Sequence, residues 1–184
     1  MRIVSGKYRG RRLQPPANLP VRPTTDFAKE GLFNVLRNIV DFESSAVLDL
    51  FTGTGSISFE FLSRGVKKVT SVDANHRCID FLKKTAGEFG IMNLQAVKSN
   101  AFVFLKHMNT KYDLVFADPP YDMEGIEALP DLVLTSGLLD IDGLFILEHS
   151  GHYNFGKHPN FSQVRNYGSV HFTFFRPGDS ALKS

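Results

Sequence analysis

Cysteine is nearly missing from this chain: Cys78 stands alone among 184 residues, so no internal disulfide can form. A disulfide-braced secreted scaffold is thereby excluded, and a reducing compartment is expected. Long apolar runs are missing too. None approaches the roughly 20 residues that a membrane-spanning helix needs, and Met-Arg-Ile-Val-Ser-Gly opens without the apolar stretch of a secretion signal. A cytoplasmic protein with no membrane partner is the expectation, and the sequon Asn160-Phe161-Ser162 is then a chance match. Ligand sets with zinc-like spacing are also lacking. Glu148, His149 and His152 cluster, but nothing further accompanies them, so they read as a polar strand end and no metal is expected. There is no internal repeat and no low-complexity block.

Acid is absent from the first 25 residues, which carry Arg2, Lys7, Arg9, Arg11, Arg12 and Arg22. The other 15 cations face all 19 acids, so a basic arm precedes a body of net charge −4. That asymmetry suits a polyanion gripped at one end, although a basic terminus that merely aids solubility would look the same. The arm, residues 1–23, is punctuated by Gly6, Gly10, Pro15, Pro16, Pro20 and Pro23, which leaves room only for a small hairpin built from Arg2 to Ser5 and Arg11 to Gln14. A second unit is expected to span 24–184.

What is present is hydrophobic patterning, with 42% apolar residues. Thr24, Thr25 and Asp26 offer cap chemistry ahead of Phe27, Leu32, Phe33, Leu36 and Ile39, predicting a helix from about Asp26 to Val40. Beyond Ala46, short apolar runs alternate with amphipathic segments, the pattern of strand–helix units around a parallel sheet. Strands are predicted at Val47–Phe51, Lys68–Asp73, Leu94–Lys98, Tyr112–Ala117 and Leu144–Glu148. Helices are predicted near Ser56–Arg64, His76–Phe89, Ala101–Met108 and Ile126–Thr135. Phe161–Tyr167 and Val170–Arg176, split by Gly168 and Ser169, read as an antiparallel hairpin. Most of the seventeen phenylalanines fall at core spacings.

Two loops carry chemistry. Leu48-Asp49-Leu50-Phe51-Thr52-Gly53-Thr54-Gly55 ends a strand in a glycine turn that opens a helix, where backbone amides can approach a ligand closely. Asp73 closes the next strand, where an acid can bond ribose hydroxyls or, more simply, cap the turn before Ala74. Ser56-Ile57-Ser58 lacks the third glycine of the dinucleotide fingerprint, which counts against a nicotinamide oxidoreductase. Asn100, before Ala101, can read a cofactor's adenine amine or cap the following helix. The second loop, Asp118-Pro119-Pro120-Tyr121, lies at the carboxyl end of the fourth strand. The prolines fix two φ angles and remove two donors, leaving a stiff turn with outward, unpaired carbonyls. An exocyclic base amine is a poor nucleophile because its lone pair is delocalised into the ring. The Asp118 carboxylate and the Pro119 carbonyl can each accept an N–H and free that lone pair, while Tyr121 stacks on the base. Transfer of a methyl group to such an amine is the chemistry this loop suits. DNA adenine-N6 or cytosine-N4 methylation, and a non-catalytic RNA-binding assembly factor, are the alternatives; a protein glutamine methyltransferase would be expected to begin its loop with Asn.

With these residues in view, the chain resembles, over nearly its whole length, the bacterial 16S ribosomal RNA guanine-N2 methyltransferases. The likeness rests on Arg2 to Arg11, Arg22-Pro23-Thr24-Thr25-Asp26, Leu48 to Phe51, Leu62 to Gly65, Asp118 to Tyr121 and Glu148-His149-Ser150. It implies an α/β Rossmann-like methyltransferase fold, with a mostly parallel seven-stranded sheet, an antiparallel C-terminal hairpin and a small N-terminal β-hairpin. It also implies S-adenosylmethionine as cofactor, and as partner 16S rRNA in the small subunit or an assembly intermediate; a monomer is expected. Carried onto this chain, Asp49, Gly53 and Gly55 would line the methionine part of the cofactor and Asp73 its ribose. The full cofactor set adds Phe51, Ala74, Asn100, Ala101 and Asp118. Asp118, Pro119, Pro120 and Tyr121 would be catalytic. Arg22, Thr24 and Thr25 would sit beside the active site, and Lys7, Arg9, Arg11 and Arg12 would hold RNA. Three departures stand out: Phe27 replaces a basic residue, Asn100 replaces Asp, and Ser56-Ile57-Ser58 replaces a smaller segment.

Overall fold

A computed structural model describes residues 1–17, 19 and 24–178. Arg22, expected beside the active site, lies outside the described residues. Helix α1 (Asp26–Leu36) starts where the threonines predict, with Thr25 Oγ1 accepting from the Ala28 N–H at 3.2 Å. There follow β1 (Ala46–Leu50), α2 (Ser56–Ser63), β2 (Lys68–Asp73), α3 (His76–Phe89), β3 (Leu94–Lys98), α4 (Ala101–His107) and β4 (Tyr112–Ala117). A 3₁₀ turn (Ile126–Ala128) leads into α5 (Leu129–Thr135), then β5 (Leu139–Ser150), β6 (Phe161–Tyr167) and β7 (Val170–Phe175).

The seven strands form one sheet in the order β3-β2-β1-β4-β5-β7-β6. Five are parallel, and β7 returns antiparallel between β5 and β6. Strand order reverses between β1 and β4, so the loops leaving these strands diverge to open a crevice at their carboxyl ends. Alternate side chains feed two cores. Val47, Leu114, Phe116, Leu144 and Ile146 join α1, α2 and α3 on one face, whereas Leu48, Leu50, Val115, Phe145 and Leu147 join α4 and α5 on the other.

Four expected elements differ by more than a residue or two. The first helix stops at Leu36 rather than Val40: Asn38 donates its side-chain amide to the Asn34 carbonyl, the chain turns, and Ile39 ends 41% exposed despite its apolar spacing. The helix predicted over Ile126–Thr135 divides before Pro130, whose missing N–H suits a helix start and not an interior. Strand β5 begins five residues early. Its register against β4 shifts between Tyr112 and Leu114, and a Cβ on Gly143 would fall 2.6 Å from Leu139 Cδ1, so only glycine allows the irregularity that the acids at 140 and 142 disguised. The N-terminal hairpin shrinks to a single antiparallel bridge, Arg2 with Arg12, supported by Ile3 N–H to Arg11 O at 3.0 Å.

That bridge is clamped to the body. Ile3, Tyr8 and Leu13 are buried in the first core. Glu60, fully buried on α2, accepts the Val4 N–H, and buried Lys29 on α1 donates to the Arg2 carbonyl at 2.7 Å while pairing with Glu60. Gly6 passes so close to α2 that a Cβ there would lie 1.9 Å from the Ser63 carbonyl oxygen.

Candidate active site

The crevice is a cleft of about 380 Å³, lined by residues that leave β1, β2, β3 and β4 at their carboxyl ends. Of the expected residues, Asp49, Phe51, Gly53, Asp73, Ala74, Asn100, Ala101, Asp118, Pro119, Pro120, Tyr121 and Thr24 all line it. Gly55 stands behind the turn, where its φ of 73° starts α2 and a Cβ would press on Phe59 and Leu82 at 3.1 Å. Thr25 is occupied as the cap of α1.

The glycine turn is held from both sides. Phe51 takes a left-handed φ of 59°, rare for an aromatic residue, and swings the chain out of β1. Gly53 then donates its N–H to Asp73 Oδ2 at 2.8 Å, while Asp73 Oδ1 accepts from the Asn75 N–H at 2.8 Å. Asp73 therefore ties the turns after β1 and β2 together. The α3 cap is Asn75 itself, which accepts from Arg77. Each Asp73 oxygen keeps a second lone pair for a ligand.

Asp49, almost fully buried, accepts from Thr52 Oγ1 at 2.7 Å and from Ser58 Oγ, and Ser58 is linked in turn to Ser71 at 2.6 Å. The unusual Ser56-Ile57-Ser58 segment thus supplies a hydroxyl to this carboxylate. Burial raises the Asp49 pKa to about 6, with the Ser58 and Thr52 bonds partly opposing and the charge on Asp73 adding to the rise.

The proline corner faces the same cleft. Pro119 is buried, and its carbonyl accepts no hydrogen bond among the described residues. The Pro120 carbonyl differs from expectation: it accepts from the Met123 N–H at 2.9 Å and closes the turn, so only one of the two carbonyls stands ready for a ligand. Tyr121 is 43% exposed at the mouth.

Asn100 caps α4, its Oδ1 accepting from the Phe102 and Val103 N–H groups at 2.9 and 3.3 Å. The oxygen expected to accept an adenine amine is committed to the cap. What remains for the cleft is the amide NH₂, a donor.

Glu148 was missed as a site residue. It stands level with Asp118 across the β4–β5 register, 2% exposed, and accepts from Thr24 Oγ1 at 2.9 Å. Asp49, Asp118 and Glu148 share the parity of Val47, Phe116 and Ile146, so three carboxylates converge on one face at the ends of neighbouring strands. Burial first, then Glu148 and Asp49, raise the Asp118 pKa well above the usual carboxylate range. Burial and Asp49 push Glu148 to about 7 against the Thr24 bond. The sequence signal was the acid after an apolar run, obscured by the histidines beside it. His149 itself is buried and bonded to Thr173 Oγ1 at 2.7 Å and to the Ser150 carbonyl. Among the described residues no cluster of three or more His, Cys, Asp or Glu side chains could hold a metal. Cys78, at the cleft floor, has its thiol pushed to about 11 by burial.

The arm's cations lie outside the cleft. Lys7 and Arg11 cover the Tyr8 ring at 5.4 and 5.6 Å, and Arg11 also lies 4.6 Å over Phe89. Arg9 and Arg12 are exposed and form no ion pair among the described residues. No described helix is long and apolar enough to cross a membrane.

A parallel sheet with a returning antiparallel strand, opening beside a glycine turn and an acidic proline corner, defines a Rossmann-like methyltransferase fold. The family described as Conserved hypothetical protein 95 matches residues 1–176. Ribosomal RNA small subunit methyltransferase D of Escherichia coli is 33% identical over 148 residues, 80% of this chain and 74% of that protein. The protein of that name from Buchnera aphidicola is 30% identical over 84% of this chain and 78% of its own. A solved Thermus thermophilus protein superposes with a TM-score of 0.83 at 28% identity, covering 96% of this chain and 99% of the other. The chain belongs to this family, and several of its curated relatives carry the name ribosomal RNA small subunit methyltransferase D.

Proposed function

We propose that this protein transfers a methyl group from S-adenosylmethionine to the exocyclic N2 of a guanine in 16S ribosomal RNA, acting in the cytoplasm as a monomer on the small subunit or an assembly intermediate. The observation that carries the reading is the proline corner set across one cleft from the glycine turn, with the Asp118 carboxylate and the Pro119 carbonyl as acceptors. The cofactor assignment is supported by charge. Asp49, Asp73 and Asp118 line the cleft and no Lys or Arg does among the described residues, a surrounding that suits a ligand bearing a sulfonium and an ammonium and opposes an anionic pyrophosphate. When bound, S-adenosylmethionine supplies an electrophilic methyl group.

The chain's own residues do the rest. Asp49 and the Gly53 backbone hold the amino-acid end, Asp73 bonds the ribose hydroxyls, and Asn100 donates its amide to an adenine ring nitrogen. Asp118 and Pro119 each accept one amine N–H, which turns the nitrogen lone pair toward the methyl group, while Tyr121 stacks on the base. As the N–C bond forms and the C–S bond breaks, the nitrogen must lose one proton, and Asp118, already its hydrogen-bond acceptor, takes it. The Pro119 carbonyl accepts from no described residue, which leaves it available to an arriving N–H donor. The relatives' name supports an rRNA acceptor.

Incubation with tritiated cofactor and small subunits lacking the modification, followed by nucleoside analysis, tests the assignment. Label is expected in N2-methylguanosine, and Asp118→Ala is expected to lower the rate by at least about 100-fold. Label on adenine or cytosine, or none at all from folded protein, would overturn it.

A further inference from the structure

We infer that Phe27 and Tyr167 form an aromatic shelf, beside the cleft, on which a nucleobase flanking the target stacks. This rests on the proposed action on RNA and names a further contact for it. Phe27, on the first turn of α1, is 68% exposed, a position where an apolar ring gains nothing from the core. It is not loose. The ring meets Tyr167 edge-to-face with centroids 5.7 Å apart. Tyr167 is seated in turn by Gly31 inside α1, where a Cβ would lie 2.1 Å from the Tyr167 ring. Glycine is disfavoured within helices, and here it makes room for the ring that props Phe27 outward.

The shelf adjoins the cleft through the chain and through the sheet. Thr24, which lines the cleft and bonds Glu148, is three residues before Phe27. Tyr167 pairs with Val170, which pairs with Ser150, so the β6–β7 turn lies at the end of the sheet where Asp118 and Glu148 emerge. The groove below holds about 670 Å³ and offers Asn34, Gln163 and Arg165 around the two rings, with Glu30 on the α1 side. Amides can read a base edge, and Arg165, exposed and without an ion pair among the described residues, can meet the adjoining phosphate. A flat ring with flanking amides and one cation fits a stacked nucleotide.

The test uses full-length protein carrying p-benzoylphenylalanine at position 27, irradiated with small subunits that lack the modification. A crosslink to 16S rRNA supports the shelf, whereas a crosslink to ribosomal protein alone, or none, overturns it. In parallel, Phe27→Ala is expected to raise KM for subunits by at least about five-fold, the lower range of base-stacking losses, with cofactor affinity unchanged. Phe27→Tyr should keep the parental KM. Phe27→Lys should recover affinity only at low salt, with a steeper salt dependence. Equal KM for Phe27→Ala and parent would sink the inference. Crosslinking to rRNA by a protein that transfers no methyl group would leave the shelf standing and remove the catalytic reading.

Discussion

Replacing Glu148 by Gln should move the acidic limb of the pH–rate profile toward lower pH while leaving the alkaline plateau in place. In the proposed reaction Asp118 is ionised to accept amine hydrogens, and its pKa is held high by burial and then by the charges of Glu148 and Asp49. Neighbouring strands lie about 4.8 Å apart, so two level carboxylates about 5 Å apart at an effective dielectric near 20 repel by about 3 kcal/mol. Glu148, pushed to about 7, is only partly ionised at neutrality, so it exerts part of that repulsion on Asp118. The amide oxygen of Gln can still accept from Thr24 Oγ1, so the change removes charge and keeps the contact. The assay is kcat/KM for methyl transfer to unmodified subunits from about pH 5 to pH 9, read for both proteins. A limb that stays in place, or a plateau that falls as far as that of Asp118→Asn, would show that Glu148 does not act through the Asp118 charge.

The free protein should lose stability as pH rises from about 4 to 7, because the Asp49 and Glu148 pKa values, about 6 and about 7, lie above their unfolded values and the folded state therefore binds more protons in that window. Chemical denaturation across this range should show a fall of up to roughly 3 kcal/mol for each group, reduced in Asp49→Asn with Glu148→Gln, where buried Asp118 still binds a proton in the folded state; a rise in stability would contradict the burial argument. Charge removal at Arg9 and Arg12 should weaken RNA binding and lower the salt slope by about 0.7–0.9 per lost phosphate contact, with cofactor affinity intact. Arg11→Ala should in addition lower the melting temperature, since its guanidinium packs on Phe89 and Tyr8.

Periodicity made most of this fold legible. The bounds of β2, β3, β4, α3 and β6 fall where apolar runs and turn residues predict them, and the two loops that build the cleft are marked by glycine and proline, whose backbone effects are local. Contacts between elements were less accessible. Gly143 permits a bulge whose need arises only from pairing with β4, and Ile39 keeps helical spacing after the helix has ended. Gly31 looks like a weak point in α1 until Tyr167, 136 positions later, is seen to lie over it. Asn100 offered two roles on sequence, and the cap claims its oxygen because two backbone donors of α4 lie within reach. Glu148 needed the register of two strands before it could be paired with Asp118.

The same register explains why the acids belong together. Asp49, Asp118 and Glu148 are withdrawn from water and share one sheet face, with no Lys or Arg among the described residues that line the cleft. Burial first, and then the charges of neighbouring carboxylates, keep part of the proton load on them in the free protein. A ligand carrying positive charge lowers all three pKa values together, so its arrival converts Asp118 toward the carboxylate that an amine requires. Binding of the cation and readiness of the acceptor are thereby one electrostatic event, and an anionic dinucleotide in the same place would do the opposite. Cofactor affinity should accordingly rise with pH through the range where these groups ionise and release protons on binding. Calorimetry in buffers of different ionisation enthalpy measures that release directly, and zero proton release near pH 6 would show that the acidic face is not coupled to the cofactor.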